Sequence, residues 1–383
     1  MNREIEEIQE DLLAKAAKAA DELYNIRDTY FPADPNDKIS KLQAESDLVL
    51  QTLNSIPPEN RKLPIQRAMY EYLKGKVLDV FSDYRKDAED HLSKAGPNKR
   101  ILCQLSMLER KMAQGTEKQA EIVEESIKHA REAIALDVRD GNSWYNLGNA
   151  CLTSFFVTGA WDHSKLLQSL KAYQNAERDE TMKSSPDLYF NCATVNKYLE
   201  NYERALTGFE AAALKDPGLN ATEEVEKIVH LLDKLESLLK GQTKAKRLAS
   251  LASSLSTVNV NPSYIQVSVD RLAEGLNKGV AVVGKVLYFI KHQNVAPLYY
   301  LLCDANQICY VLSVYGIRDD VVKEGDQIIL LSPYFHNVDF SWNGKVYQFK
   351  SVRVDFLEQM LVNGKALSHS HAVRASIYAQ HKP

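Results

Sequence analysis

The stretch Ser169-Leu-Lys-Ala-Tyr173-Gln-Asn-Ala176 carries the pattern that decides the fold. A small residue is followed four positions later by a second core residue, usually a bulky one, and three positions after that by an alanine. The pattern occurs three more times, at Ala88-Leu92-Ala95, Ser126-Ala130-Ala133 and Ala205-Phe209-Ala212. The closing alanines of the four copies are separated by 38, 43 and 36 residues. Four copies in phase predict an internal helical repeat.

The spacing brackets the period of about 34 residues that is typical of tetratricopeptide repeats, with insertions. The segment Trp144-x-x-Leu147-Gly148 matches the first-helix signature of that repeat. Small residues let two helices approach closely, and each pair buries its face only against a neighbouring pair. We therefore predict a solenoid over residues 61–240, preceded by an N-terminal helical segment over 1–60. A capping helix over 222–240 would close it, with Thr222 as N-cap. An irregular helical bundle is the alternative.

The composition changes after residue 240, where β-branched and aromatic residues replace the helical pattern. Residues 241–262 are interpreted as a linker, 263–361 as a small β-barrel of the OB-fold type, and 362–383 as a C-terminal tail. Asn343-Gly344 between two alternating runs is the strongest hairpin signal in the chain. The predicted strands are 264–269, 280–290, 297–303, 307–314, 327–331, 338–342, 345–349 and 351–356. The predicted fold class is multi-domain α + β, and a β-sandwich is the alternative for the second part.

Bulk composition narrows the class of function. The 383 residues carry a net charge of −4, which argues against sequence-blind nucleic-acid binding by the whole chain. Five cysteines occur without a CxxC pair, so neither a disulfide framework nor a zinc site is expected. The N-terminus lacks an apolar run of the signal-peptide type, and no run approaches the roughly 18 apolar residues of a membrane span. We expect an intracellular soluble protein with no membrane partner.

No catalytic motif is convincing. The chain contains no GxGxxG, P-loop, GxSxG or HExxH sequence, and we predict a non-enzymatic protein without a cofactor. His369 and His371 are interpreted as part of a solvated tail, with metal binding as the alternative. Cys303 and Cys309 flank a predicted hairpin and are interpreted as buried strand cysteines.

Binding features are better developed. First helices line the concave face of such an array and grip extended peptides with polar side chains. One first helix carries Trp144, Asn146 and Asn149, and the next carries Asp187, Asn191, Thr194 and Lys197. Asparagines at matching places can hydrogen-bond a peptide backbone. The alternative is that they solvate an exposed helix face.

The predicted barrel is rich in aromatic residues, which OB-folds use to stack single-stranded bases while lysines and arginines follow the phosphates. Much of this set must form the core, so a stabilising or protein-docking barrel is the alternative to nucleic-acid binding. The aromatic residues are Tyr288, Phe289, Tyr299, Tyr300, Tyr310, Tyr315, Tyr334, Phe335, Trp342, Tyr347 and Phe349, and the basic ones are Lys285, Lys291, Lys345, Lys350 and Arg353.

The sequence resembles the tetratricopeptide repeat protein 5 family, the stress-responsive activator type. The similarity lies in runs distributed over most of the chain, namely 23–31, 136–150, 185–198, 283–286, 351–354 and 362–365. The resemblance implies a tetratricopeptide array with a C-terminal OB-fold. It also implies binding to translating ribosomes, recognition of the N-terminal Met-Arg-Glu of nascent tubulin, and decay of tubulin messenger RNA through decay adaptors. A nuclear role in holding together a histone acetyltransferase complex is the alternative, so cytoplasmic and nuclear locations are both expected.

The resemblance also assigns peptide-binding residues. The arginine that follows the family's Leu-Ser-Met motif corresponds to Arg110, and an acidic residue of the Ser-Pro-Asp motif corresponds to Asp187. A second acidic residue follows the last repeat, where the alignment slips; Ala221 occupies the unshifted position and Glu223 is the substitute. Family members carry about one further repeat between Ala95 and Arg100. A co-chaperone clamp for C-terminal carboxylates ranks third, because Asp187 would repel a carboxylate.

Overall fold

The computed structural model describes residues 2–58, 61, 63–96, 98–160, 162–241, 248–250, 253, 255, 260–292 and 296–373. The chain divides into two compact units. The first contains Met1–Val157 and Ser164–Lys183, and the second contains Thr158–His163 and Ser184–Pro383.

The first unit is helical. Its elements are α1 (Asn2–Thr29), α2 (Pro35–Asn54), α3 (Pro64–Leu78), α4 (Arg85–Lys94), α5 (Lys99–Ala113), α6 (Gln119–Leu136), α7 (Gly141–Val157) and α8 (His163–Ala176), the last of which begins in the second unit. Side-chain caps fix several starts: Asp34 accepts a hydrogen bond from the Asn36 amide, and Asn98 accepts one from the Arg100 amide. Consecutive helices pack against each other, α3 on α4, α5 on α6 and α6 on α7.

The repeat pattern is confirmed at the level of burial. All twelve residues of the four copies lie in the interior, each at most 6% exposed. The close approach of α7 and α8 shows why one position must be small. A β-carbon on Gly148 would lie 2.4 Å from the ring of Tyr173, and the Ser169 hydroxyl donates to the Gly148 carbonyl at 2.8 Å.

The expected missing repeat leaves no break in the first unit. Helices α4 and α5 share one core, in which Ala95 on one side of the junction packs with Ile101 and Leu105 on the other. Helix α5 therefore packs directly against α4. The predicted N-terminal segment packs against the helices that follow it, because α1 and α2 share a core with α3.

The second unit combines helices with a β-sheet. Its helices include α9 (Pro186–Tyr198), α10 (Tyr202–Lys215) and α11 (Ala221–Gly241). Helix α11 begins at Ala221, directly after Asn220 in a left-handed conformation (φ 54°), so the prediction of Thr222 as its N-cap was wrong. A helix does span the predicted residues 222–240.

The sheet has ten strands among the described residues. They are β1 (Ile265–Val267), β2 (Gly275–Leu276), β3 (Val280–Ile290), β4 (Leu298–Asp304), β5 (Cys309–Val314), β6 (Gln327–Leu331), β7 (Tyr334–Trp342), β8 (Lys345–Val354), β9 (Met360–Val362) and β10 (Lys365–Ala366). The predicted strands 345–349 and 351–356 form one strand, β8. Most of the predicted linker 241–262 lies outside the described residues.

The topology is that of an OB-fold. Strands β3, β4 and β5 form an antiparallel meander, β5 pairs with β8 in parallel, and β8 pairs with β7. Strands β6 and β7 are separated by two residues and act as one bent strand, which pairs with β3 through β6 and with β8 through β7. This pairing curls the sheet into a partly open barrel. The turn between β7 and β8 has positive φ at Asn343 and Gly344, as predicted for an Asn-Gly hairpin.

The barrel extends beyond its predicted end at residue 361. Strands β9 and β10 continue the sheet to Ala366, and Ile317 forms an isolated bridge with Ala372. Residues 362–372, predicted as tail, therefore belong to the barrel. The rest of the predicted tail, beyond Val373, lies outside the described residues.

Candidate peptide-binding residues

Arg110 lies in the last turn of α5, half-buried, and its hydrogen-bond partners are neutral. Its Nη1 donates to the Ser106 carbonyl at 3.1 Å and to the hydroxyls of Ser106 and Ser126 at 2.9 and 3.3 Å. Its Nη2 donates to Asn146 Oδ1 at 3.3 Å. Among the described residues, no carboxylate forms an ion pair with it. Burial lowers the pKa of Arg110, because removal from water disfavours the charged form.

The arrangement around Arg110 resembles a prepared anion site. An arginine fork is held in place by hydroxyl and amide groups, while no carboxylate in the described part of the chain forms an ion pair with it. The two hydroxyls belong to Ser106 on α5 and Ser126 on α6. Their Oγ atoms lie 3.0 Å apart, because the two helices pack closely there. The sequence pattern had marked Ser126 only as a small packing residue, so its role in fixing an arginine was missed.

Trp144 and Asn149 on α7 both have contacts within the first unit. The Trp144 indole donates to the Val138 carbonyl at 2.8 Å, which ties α7 to the preceding turn. The Asn149 side chain accepts a hydrogen bond from the buried Tyr173 hydroxyl at 2.7 Å. Asn146, one turn before it, is the asparagine that contacts Arg110. The structure therefore brings Asn146, rather than Asn149 or Trp144, to the arginine.

The second unit places its predicted residues on α9. Ser185 caps the helix by accepting a hydrogen bond from the Leu188 amide, and Asp187 is exposed in the first turn. Asn191 is half-buried one turn further on. Lys197 lies in the last turn, where its Nζ is 2.6 Å from Glu224 Oε2 of α11.

The acidic residue that meets α9 is Glu224 rather than Glu223. Glu223 is exposed in the first turn of α11, whereas Glu224 also pairs with Lys227 at 2.7 Å. Burial acts to raise the pKa of Glu224, but Lys197 and Lys227 lower it overall, so the carboxylate is ionised at neutral pH. Because the alignment with the family pattern shifts at Ala221, the sequence does not distinguish Glu223 from Glu224. Only packing shows which of the two glutamates faces α9.

Most of the barrel aromatics predicted as stacking platforms are in the interior. Tyr300, Tyr310 and Phe335 belong to the inner core of the barrel. Tyr299, Tyr347 and Phe349 belong to a second core, shared by the outer face of the sheet with α10 and α11. Of the eleven aromatics, Tyr334 is the most exposed, at 44%. Arg353, one of the five basic candidates, is 5% exposed and therefore cannot follow a phosphate backbone.

The cysteine and histidine candidates form no metal site within the described ranges. Cys303 and Cys309 lie opposite each other in the β4–β5 register, and both are free. His371 contacts the Ser368 hydroxyl in a short 3₁₀ turn. In the part of the chain that the structure describes, no group of three or more His, Cys, Asp or Glu side chains could hold a metal ion. No helix in that same part is both long and apolar enough to cross a bilayer.

Comparison with known proteins agrees with this architecture. A family model described as "Tetratricopeptide repeat protein 5 OB fold domain" matches residues 263–376. The chain is 31% identical to tetratricopeptide repeat protein 5 of Homo sapiens and 32% identical to that of Mus musculus, with 97% of each chain covered in both comparisons. A solved structure that it matches is that of a thermophilic TPR protein of Thermus thermophilus, with a TM-score of 0.37 and 13% identity over 49% of this chain and 92% of the other.

Proposed function

We propose a function from one premise: this chain belongs to the tetratricopeptide repeat protein 5 family. It is a tetratricopeptide-repeat protein with an OB domain, an architecture that suggests a non-enzymatic adaptor. We propose that it reads the N-terminal Met-Arg-Glu of nascent tubulin on translating ribosomes and recruits decay adaptors to the tubulin messenger RNA. A cytoplasmic site of action follows from this proposal.

The observation that carries the proposal is the set of neutral hydrogen-bond partners around Arg110, with which no carboxylate among the described residues forms an ion pair. A half-buried guanidinium surrounded by neutral partners is costly unless a ligand supplies the missing anion. A glutamate side chain fits, because a planar carboxylate can accept two parallel hydrogen bonds from an arginine fork. Asn146 and Ser126 hold the Arg110 guanidinium in place before the peptide binds, which lowers the entropic cost of binding.

The second unit carries carboxylates, the groups that the N-terminal amine and the arginine of such a peptide require. Asp187 is exposed on α9. Glu224 is ionised and half-buried beside the same helix. A peptide guanidinium could share the Glu224 carboxylate with Lys197 or take the place of Lys197. We propose Asp187 and Glu224 as the acidic readers, with Glu223 as the residue to be excluded.

A binding titration of the full-length chain tests these roles. A fluorescein-labelled peptide beginning Met-Arg-Glu is titrated against wild type, Arg110→Ala, Asp187→Ala, Glu224→Gln and Glu223→Gln. We expect Arg110→Ala, Asp187→Ala and Glu224→Gln each to weaken peptide binding at least tenfold, which corresponds to about 1.4 kcal/mol. Glu223→Gln should bind like wild type.

Matched controls separate site residues from general loss of charge. Arg131→Ala removes an exposed arginine of the first unit, which donates to Gln168, and Glu203→Ala removes an exposed carboxylate from α10. Both should bind normally, and a Met-Glu-Arg peptide should bind weakly to wild type. Unchanged affinity in both Arg110→Ala and Asp187→Ala would reject the peptide-reader proposal.

Ribosome co-sedimentation tests the cellular part of the proposal. The chain should sediment with ribosomes that translate tubulin and should stay in the supernatant when tubulin translation is absent. Arg110→Ala should lose the co-sedimentation. The nuclear role with a histone acetyltransferase complex is a second proposal, and it predicts a stable association in nuclear extracts that Arg110→Ala leaves unchanged.

A further inference from the structure

The turn between α9 and α10 contains a non-glycine residue in a left-handed conformation. Glu200 has φ 61° and follows the C-cap Leu199. The amide of Asn201 donates to the Asn196 carbonyl at 2.9 Å, a helix-ending pattern in which glycine usually takes the left-handed position. A glutamate there is strained, so its side chain must compensate for a backbone conformation that glycine would adopt freely.

The Glu200 side chain enters the barrel within the second unit. It is 4% exposed, and its carboxylate accepts hydrogen bonds from Ser351 Oγ at 3.2 Å and from the Tyr315 hydroxyl at 3.3 Å. Burial raises the pKa of Glu200, while Arg353 nearby acts to lower it. The strained turn thus places a carboxylate among donors from β8 and from the end of β5.

Side chains of the barrel also hold the C-terminal end of α9. The carbonyl of Tyr198, the last residue of α9, accepts hydrogen bonds from Arg353 Nη1 at 2.7 Å and from the Tyr315 hydroxyl at 2.8 Å, whose one hydrogen is shared with Glu200. The last carbonyls of a helix have no partner within the helix and carry a partial negative charge, which a cation stabilises. Arg353 is fixed in turn by Asp355, which accepts from its Nε at 2.8 Å, and by the Tyr315 ring 4.0 Å from the guanidinium.

These contacts act on the helix that carries the proposed acidic reader. Lys197, which pairs with Glu224, directly precedes Tyr198, and Asp187 stands at the opposite end of the same short helix. A shift in the last turn of α9 therefore moves the Lys197–Glu224 pair. The whole helix has 13 residues, so it has little length over which to absorb such a displacement.

We propose that Arg353 is a positioning residue for peptide binding: by holding the Tyr198 carbonyl, the barrel sets the position of α9 against α11. The inference rests on the proposed function for its binding consequence but not for its structural one. It assigns the barrel a task other than ligand binding, because a buried residue of β8, remote from the exposed face of α9, determines how that helix is presented.

The test uses the full chain and two measurements, peptide affinity and hydrogen exchange of the α9 amides. Arg353→Met removes the donor and keeps the length of the side chain. Tyr315→Phe keeps the ring and removes one donor, and it serves as a milder variant in case Arg353→Met fails to fold. Arg353→Lys keeps a cation that can reach the Tyr198 carbonyl. Arg318→Met removes an exposed barrel arginine paired with Asp320 and is the control.

We expect Arg353→Met to weaken binding of the Met-Arg-Glu peptide about tenfold and to speed exchange in the last turn of α9, with exchange in α5 unchanged. Tyr315→Phe should produce smaller changes of the same kind. Arg353→Lys should restore part of both properties, which a purely space-filling role would not predict. Arg318→Met should behave as wild type.

Two results would overturn the inference. One is unchanged exchange of α9 in folded Arg353→Met or Tyr315→Phe, and the other is an equal loss of binding in Arg318→Met. If wild type does not bind the peptide at all, the proposed function fails, but α9 exchange still decides whether Arg353 positions the helix.

Discussion

The hydroxyl of Tyr202 on α10 lies 3.0 Å from the hydroxyl of Tyr299 on β4. Both side chains are at most 4% exposed, and they belong to the core that α10 and α11 share with the outer face of the sheet. In OB-folds that bind single strands, a groove across the corresponding face takes the ligand. In this chain the middle of that face is occupied by helices of the same unit. The tyrosine pair is a polar contact within that apolar core.

The first prediction concerns this tyrosine pair. Tyr202→Phe and Tyr299→Phe should each destabilise the chain by about 1–3 kcal/mol, because each leaves a buried hydroxyl without a partner. The double variant should be close to wild type, because no unsatisfied hydroxyl remains. Urea denaturation of the three variants and wild type measures the free energies of unfolding. Additive losses in the double variant would show that the two hydroxyls do not depend on each other.

The second prediction concerns nucleic acid. Because α10 and α11 cover the outer face of β4 and β5, the full chain should not bind single-stranded oligonucleotides by base stacking on Tyr299 or Tyr347. Lys345 should contribute little, since it pairs with Asp233 of α11. A gel-shift titration at low salt with a pyrimidine strand of about 20 nucleotides, longer than the site of one OB fold, is the measurement. A retarded band that disappears in a Tyr299→Leu variant would contradict the prediction.

The third prediction concerns helix packing. Gly148→Ala should destabilise the first unit by about 1–3 kcal/mol, because the new methyl group would lie 2.4 Å from the Tyr173 ring. Tyr173 is fully buried and hydrogen-bonded to Asn149, so the ring has little room to move. Gly241→Ala is the matched control at the end of a helix, where nothing lies within 4 Å of the added atom. Differential scanning calorimetry of both variants separates crowding from helix propensity.

The fourth prediction concerns pH. His129 Nδ1 lies 2.9 Å from Glu109 Oε1, and this hydrogen bond raises the pKa of His129, with Glu132 and Glu125 acting in the same direction. Burial raises the pKa of Glu109, although His129 acts to lower it. Both groups thus bind protons more tightly in the folded state. The contribution of His129 to stability is present below the unfolded pKa of His, about 6.5, and is lost as pH rises through the higher folded value. The contribution of Glu109 is lost over a lower window, which begins at the unfolded pKa of Glu, about 4.3.

The measurement is the free energy of unfolding between about pH 6 and 8, where histidine titrates. Wild type should lose about 1 kcal/mol more over this range than His129→Asn, the usual scale for a partly exposed pair. His230→Asn removes an exposed histidine and should keep the wild-type slope. Identical pH profiles for wild type and His129→Asn would show that the pair does not titrate with folding.

Local patterns predicted most of the elements. The small residues at Ser126, Ser169 and Ala205 are buried where the repeat requires them, and β3 and β6 span the predicted residues. Errors occurred where the chain gives no local signal. The strand break predicted at residue 350 is absent, because β8 continues by pairing first with β7 and then also with β5. The residues after 361 continue a strand that pairs with β6, a partner more than 30 positions away in the sequence.

The candidate site was only partly predictable for the same reason. Resemblance identified Arg110 and Asp187, but the partners of Arg110 come from three helices that the sequence does not place together. Asn149 looked equivalent to Asn191 by position, yet it is engaged by Tyr173. The choice between Glu223 and Glu224 depends on which side of α11 faces α9, and neighbouring residues on a helix point about 100° apart.

The repeat, the helix and strand periods and the turn at Asn343-Gly344 can be read from the sequence, because they depend on residues that are close along the chain. Three features depend on tertiary contacts instead: Arg110 has no carboxylate partner among the described residues, α10 and α11 cover the outer face of the barrel, and Arg353 holds the end of α9. These features arise from contacts between residues 16 to 155 positions apart. No local pattern encodes such pairs, since each partner alone is compatible with an ordinary surface or core position.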